Sequence, residues 1–252
     1  MNRSEKIYIS VNVIFLILII STFTYIVISI NSLKYQEVND EKLVNFYIST
    51  EVVEQTNEFI NAFNMLIRLE GNYIFDEDDA GKETYCGISR VYFPSWTGWE
   101  IIDKVKSSLK KNEKIEEIIL KYTKKLEPHV RDFYFKQFWI PLKCQIMPNE
   151  LSTEVFEQGV NIGYSQAIRH LQIVLNSLNY NFRYFKVDLA EDGIFGSNTE
   201  IALLNAIKDD SIKSIINGLN SLQGHYYIMK SRENSKKKKF IKGWLNHRVS
   251  SI

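Results

Sequence analysis

Glu70, Asp79 and Thr84 are the residues whose types and spacing can do chemistry together. Phe59, Ile60, Phe63, Leu66 and Ile67 recur at the spacing of one helix face, and Glu70 falls on that same face immediately before Gly71. A carboxyl group partly withdrawn from water is disfavoured as an anion, so its pKa rises. Held protonated near neutral pH, it can give a proton to a leaving oxygen. The plainer alternative is a glutamate at a helix end that turns to solvent. Asp79 follows nine residues later and Thr84 five after that. A helix-terminal acid, with a carboxylate and a hydroxyl in the following hairpin, suits cleavage of a glycosidic bond. One group protonates the oxygen, and a carboxylate across the ring holds a water or attacks directly. Asp76, Glu77 and Asp78 crowd the same stretch. Spacing alone therefore does not select Asp79, and a solvated acidic turn accounts for the cluster equally.

The elements that would position these groups can be read from pattern. A helix is expected from Val52 to Gly71, and Gly71, Gly81, Gly87, Gly98 and Pro94 mark 71–98 as loops with a small hairpin. Helical patterns return over 99–126 and 129–139, punctuated by Pro128 and Pro141, then over 150–162 and 165–179. Asp192-Gly193 reads as a turn, and Ser197 or Asn198 as the cap of a helix beginning near Thr199. Residues 210–232 carry Ile212, Ile215, Ile216, Leu219, Leu222 and Tyr226 on one face. The fold class expected is mainly α (α+β), a helical domain with a small hairpin that would carry the active site.

Composition bounds the alternatives. With 45% hydrophobic and 24% charged residues among 252, the chain is neither disordered nor, with 11 Gly and 4 Pro, collagenous. Two cysteines exclude a disulfide-rich scaffold. The net charge of +1 conceals a division: 35–54 carry −4, 55–229 about −4 and 230–252 +7. By overall charge the chain is no nucleic-acid binder.

No charge interrupts the stretch between Lys6 and Lys34. As a helix, Ile7–Ile30 would be about 36 Å long, enough to cross a hydrocarbon core of about 30 Å. The run is longer than the apolar part of a cleaved signal, and no small-residue cleavage site follows. The absence of Gly and Ala argues for a permanent rather than a releasable anchor. Arg3 and Lys6 before the run and acids after it place the N-terminus in the cytoplasm. The expected organisation is 1–6 cytoplasmic, 7–30 transmembrane, 31–54 a tether, 55–180 a catalytic domain and 181–252 a C-terminal helical part packed on it. The expected location is the bacterial inner membrane, single-pass, with the catalytic domain in the periplasm. Cys86 and Cys144 would then lie in an oxidising space, where their pairing is open.

LEGNYIFDEDDAGKETYCGIS, 69–89, resembles the opening of glycoside hydrolase family 108, whose members are lysozyme-like N-acetylmuramidases. That family opens on E-G-G-Y, then D-P-x-D-x-G-G-x-T, then Y-G-I-S. Glu70, Gly71, Tyr73, Asp76, Asp79, Gly81, Glu83, Thr84, Gly87, Ile88 and Ser89 are kept. FKQFWIPLKCQIMP (135–148), VFEQGVNIGYSQAIRHLQ (155–172), LAEDGIFGSNTEIAL (189–203) and FIKGWLNHRV (240–249) are similar to its later segments, in order. The third looks like a peptidoglycan-binding-type element. The chain departs at Asn72 for a glycine, Lys82 for the second of a glycine pair, Ala80 for a proline and Cys86 where tyrosine is common. None of these changes removes an acid.

The resemblance implies hydrolysis of the β-1,4 bond between N-acetylmuramic acid and N-acetylglucosamine. Glu70 would be the general acid, Asp79 would position water or stabilise positive charge, and Thr84 would assist. Tyr73, Asn161 and Lys82 are candidates for substrate contact. The Asn161 amide can bond sugar groups or, equally, bridge helices. Trp96, Trp99 and Trp139 suit core packing better than sugar stacking. His129, His170, His225 and His247 lack metal-ligand spacing, so no metal and no cofactor is expected. The partners expected are peptidoglycan glycan strands and, through the N-terminal helix, the membrane, with holin or secretion genes as neighbours and a monomeric chain. A non-catalytic peptidoglycan-binding protein and a lytic transglycosylase remain the alternatives.

Overall fold

A computed structural model describes residues 55–67, 72–76 and 81–249. The predicted span Ile7–Ile30, the tether, Glu70 and Asp79 lie outside the described residues. Helix α1, Asn57–Ile67, buries Phe59, Ala62, Phe63 and Leu66, the face that the 3–4 spacing predicts. The sheet follows: β1 (Tyr73–Phe75), β2 (Glu83–Tyr85) and β3 (Ile88–Ser89) in antiparallel order β1-β2-β3. Tyr73 pairs with Tyr85, Ile74 with Thr84, Phe75 with Glu83, and Thr84 with Ser89. Cys86 and Gly87 form the two-residue turn between β2 and β3 at φ +47° and +76°. Two successive positive φ values are what a turn matching the strand twist requires. Glycine reaches them freely; Cys86 does so at some strain.

The helices then run α2 (Gly98–Ser108), α3 (Ile115–Ile119) and α4 (Thr123–Tyr134). One π-helical turn, Phe135–Trp139, follows α4. Beyond it come α5 (Asn149–Ile162), α6 (Tyr164–Leu178), α7 (Ser197–Lys208), α8 (Ile212–Glu233) and α9 (Ile241–His247). The described part is thus mainly helical with one small sheet. Gln55 onward forms one compact unit. Among the described residues no helix is long and apolar enough to cross a membrane.

The core around α1 is aromatic. The Phe59 ring lies 4.8 Å from Phe135, 5.4 Å from Trp139 and 6.0 Å from Phe156, mostly tilted or edge-on. Trp139 is almost wholly buried, and Trp96 and Trp99 meet edge to face inside the core. All three indoles are packing residues. Tilted and T-shaped ring contacts add about 0.5–1.5 kcal/mol each beyond their buried area. They clamp α1 to α5 and to the π turn.

Two local expectations need correction, and one open pairing is decided. Pro128 lies inside α4 rather than between helices. It sits on the exposed face, where the Lys124 carbonyl that loses its partner can turn to water. Helix α7 begins at Ser197, with Gly196 as its cap and no side-chain capping bond. The backbone amide of Glu200 reaches the Gly196 carbonyl at 3.0 Å instead. Cys144 is a free, buried thiol, so no disulfide joins it to Cys86. Burial pushes its pKa well above that of an ordinary cysteine, which keeps it protonated and inert.

Candidate active site

Side chains alternate across a strand, so the pairing of β1, β2 and β3 sorts the hairpin residues onto two faces. Tyr73, Glu83, Tyr85 and Ile88 point inward and are buried. Ile74 and Thr84, a register pair, point to the other side, where Ile74 is exposed and Thr84 half-buried. Ser89, opposite Thr84, donates its hydroxyl to the Gly81 carbonyl at 2.9 Å. The Asp76 amide donates to the Lys82 carbonyl at 3.3 Å, and the Cys86 amide to Asn72 at 3.0 Å. These bonds set the two ends of the acidic segment, 76 and 81, beside the strand that carries Thr84.

Of the three residues named for substrate contact, Lys82 is exposed with φ +50°. It stands where the resembled family has a glycine. A glycine takes that left-handed conformation freely, whereas a side chain there costs about 1–2 kcal/mol. The lysine therefore keeps the glycine's backbone while adding a cation to the surface. Tyr73 is buried beneath the sheet, and its hydroxyl donates to Glu83 Oε1 at 2.9 Å. Burial, followed by that carboxylate, pushes its pKa well up. Asn161, near the end of α5, donates through Nδ2 to the Glu157 carbonyl at 2.8 Å and to Glu157 Oε1 at 2.7 Å.

Glu83 matches the resembled motif but was given no role from the sequence. It is 5% exposed, with Arg90 Nε 2.7 Å from Oε2 and Lys106 Nζ 2.5 Å from Oε1. Arg90 also grips Asp103 through both terminal nitrogens, at 3.1 and 2.6 Å, and its guanidinium lies 4.4 Å over the Trp99 ring. The bond to Arg90 holds the Asp103 carboxyl below the usual range.

A second buried polar group joins α5 to α6 and α8. Glu154 accepts from Gln158 at 2.7 Å and from Asn220 at 3.2 Å, and Glu157 accepts from Gln223 at 2.7 Å. Arg248 reaches Glu157 Oε1 at 3.4 Å, and His170 Nδ1 meets Gln158 at 3.1 Å. Burial pushes Glu154 up, and pushes Glu157 up to about 7 against the opposing bonds from Gln223 and Arg248. Burial, helped by Arg169 and His225, brings His170 down to about 4. The signal was present: Glu154 shares a helix face with Leu151 and Val155, the spacing that singled out Glu70 beside Leu66 and Ile67 in the sequence.

A cleft of about 490 Å³, lined by Thr97, Glu100, Lys104, Tyr122, Lys125 and His129 among others, contains none of the residues singled out in the sequence. Among the described residues no group of three or more His, Cys, Asp or Glu is placed to hold a metal ion.

Residues 63–163 match the family described as Glycosyl hydrolase 108, and residues 166–249 match the one described as Predicted Peptidoglycan domain. No match was found among curated proteins. Among solved structures, SagA of Brucella abortus is similar in fold, with a TM-score of 0.51 at 20% identity over 76% of this chain and 88% of that one. The first segment holds α1, the sheet and α2 to α5, and the second holds α6 to α9. A glycosyl hydrolase 108 segment followed by a peptidoglycan segment supports a lysozyme-like glycoside hydrolase acting on peptidoglycan.

Proposed function

We propose that the chain hydrolyses the β-1,4 bond between N-acetylmuramic acid and N-acetylglucosamine in peptidoglycan, while anchored to the bacterial inner membrane by Ile7–Ile30 with its body in the periplasm. Glu70 protonates the glycosidic oxygen. Asp79 holds the attacking water or stabilises the positive charge that develops at the anomeric carbon, and Thr84 orients that water. The observation that carries this reading is the match of 63–163 to a glycosyl hydrolase. Within that segment a sheet follows α1 in the sequence, and its outward face bears Thr84.

Hydrolysis adds water across the bond: the leaving sugar oxygen takes the acid's proton and the anomeric carbon takes hydroxyl. Each cut therefore leaves one new reducing end. The test is digestion of purified cell walls, with loss of turbidity followed alongside the products. New reducing ends in proportion to cuts are expected. Anhydro-sugar ends would assign a lytic transglycosylase instead, and binding without products would assign a wall-binding protein.

A further inference from the structure

Glu83 is a buried acid next to Thr84 in sequence, and the proposed reaction makes no use of it. It points inward while Thr84 points out, as neighbours on a strand must. Three elements converge on its carboxylate. The Tyr73 hydroxyl comes from β1, Arg90 from just beyond β3 and Lys106 from α2. Arg90 carries the connection onward to Asp103 and over Trp99, both on α2. The backbone repeats the link, because the Arg90 amide donates to the Glu83 carbonyl at 2.8 Å. Two cations and a phenol hydroxyl face this one buried carboxylate. It lies on the face turned away from Thr84.

We propose that Glu83 is a positioning residue: gripped by Tyr73, Arg90 and Lys106, it fixes β2 against α2 and so sets where Thr84 is presented on the outward face of the sheet. This rests on the proposed function for its catalytic consequence. A strand only three residues long, with a two-residue strand as its outer neighbour, has few ladder bonds to hold it. The charged grip from below supplies the missing constraint. A displacement of about 1 Å in a group that orients a reacting water can cost about a hundredfold in rate.

The test is Glu83→Gln in the full chain, with wall-hydrolysis kinetics, the pH profile and amide exchange over 72–90. The exchange readout does not depend on catalysis. Arg90 and Lys106 are 30% and 36% exposed, so water can receive both cations when the charge opposite them is removed. The variant is expected to exchange faster over 72–90. Its kcat should fall about ten- to a hundredfold, with KM within about threefold and both limbs of the pH profile in place. A kcat within twofold of the parent overturns the proposal. So does abolition of activity together with a limb of the pH profile, which would make Glu83 itself the acid or base. Where Glu83→Gln fails to fold, Lys106→Gln removes one cation from a partly exposed site. A drop in kcat at constant KM is then expected, and an unchanged kcat overturns the proposal. If the parent chain cuts no glycan, the proposed function falls, while exchange still reports whether Glu83 grips the sheet.

Discussion

At the residue scale, the proposal turns on which acid has a proton to give. Glu83 is ruled out by its placement: it points away from Thr84, and Tyr73, Arg90 and Lys106 occupy its carboxylate. Asp76 is exposed at the end of β1. Glu70, three residues past Ile67 in the sequence, is the acid that the apolar spacing 59–63–66–70 singles out. Glu70→Gln keeps the shape of the side chain but cannot act as a carboxylic acid. Positioned acid catalysis contributes about 10²–10⁴ in rate, so wall hydrolysis should fall by at least that factor with the circular dichroism spectrum unchanged. Asp79→Asn should also cripple the reaction, because a neutral amide stabilises an oxocarbenium-like centre poorly. Asp76→Asn and Asp78→Asn should cost far less. Full activity in Glu70→Gln would remove that residue from the mechanism, and Asp78→Asn as the inactive variant would move the second role off Asp79.

At the element scale, the joint between α5, α6 and α8 is where buried charge meets packing. Glu157 titrates near 7 when folded, against an ordinary 4.5, mainly because burial disfavours its anion. The fold therefore prefers the protonated form. Its contribution to stability is fully present below about pH 4.5 and is lost as the pH rises toward 7. The scale is about 1.4 kcal/mol per unit of displacement, so on the order of 3 kcal/mol. His170, brought down to about 4, works in the opposite direction: the stability it contributes is lost as the pH falls from 6.5 toward 4. The two partly cancel in the parent, so the comparison must be made with a variant. Denaturant titrations at pH 5 and pH 8 should show Glu157→Gln losing less stability on going to pH 8 than the parent does. Identical pH dependence in the two proteins would show that Glu157 does not titrate in this window.

At the scale of the whole molecule, the described helices give way to a basic end. Trp244 of α9 stacks on Tyr227 of α8 at 5.1 Å and on Phe240 at 5.8 Å, while Arg248 returns to Glu157 on α5. The last helix is thereby tied both to the peptidoglycan segment and to the hydrolase segment. At the opposite end of the sequence, Ile7–Ile30 carries no charge. An uncharged run of that length, flanked by Arg3 and Lys6, should hold the protein in the membrane. Full-length protein is expected to pellet with membranes and to resist carbonate and high salt, and protease on the outer side should release the body. Recovery of intact chain in the soluble fraction would defeat the anchor. So would a mature protein beginning near residue 31.

What the sequence determines by itself is what local geometry dictates. The spacing of Phe59, Phe63 and Leu66 specifies the buried face of α1, because residues three and four apart share a helix face wherever that helix is placed. Asp192-Gly193 specifies its turn in the same way: Asp192 Oδ1 accepts the Ile194 amide at 2.9 Å and Gly193 takes φ +75°. Thr84 could be assigned to a hairpin from the glycines around it. Only the tertiary structure decides which polar groups leave water. Glu83 is a surface-like residue in a charged stretch until Lys106, twenty-three positions later, is folded over it. Glu157 becomes an anomalous acid because packing takes it out of water, against the opposing bonds from Gln223 and Arg248, sixty-six and ninety-one positions away. Cys144 is sealed in the core as a free thiol. Period and turn chemistry act over a few bonds and can be read in order along the chain. Desolvation and charge pairing act through space, and their strength is set by neighbours that only the packing of α2, α5 and α8 brings together.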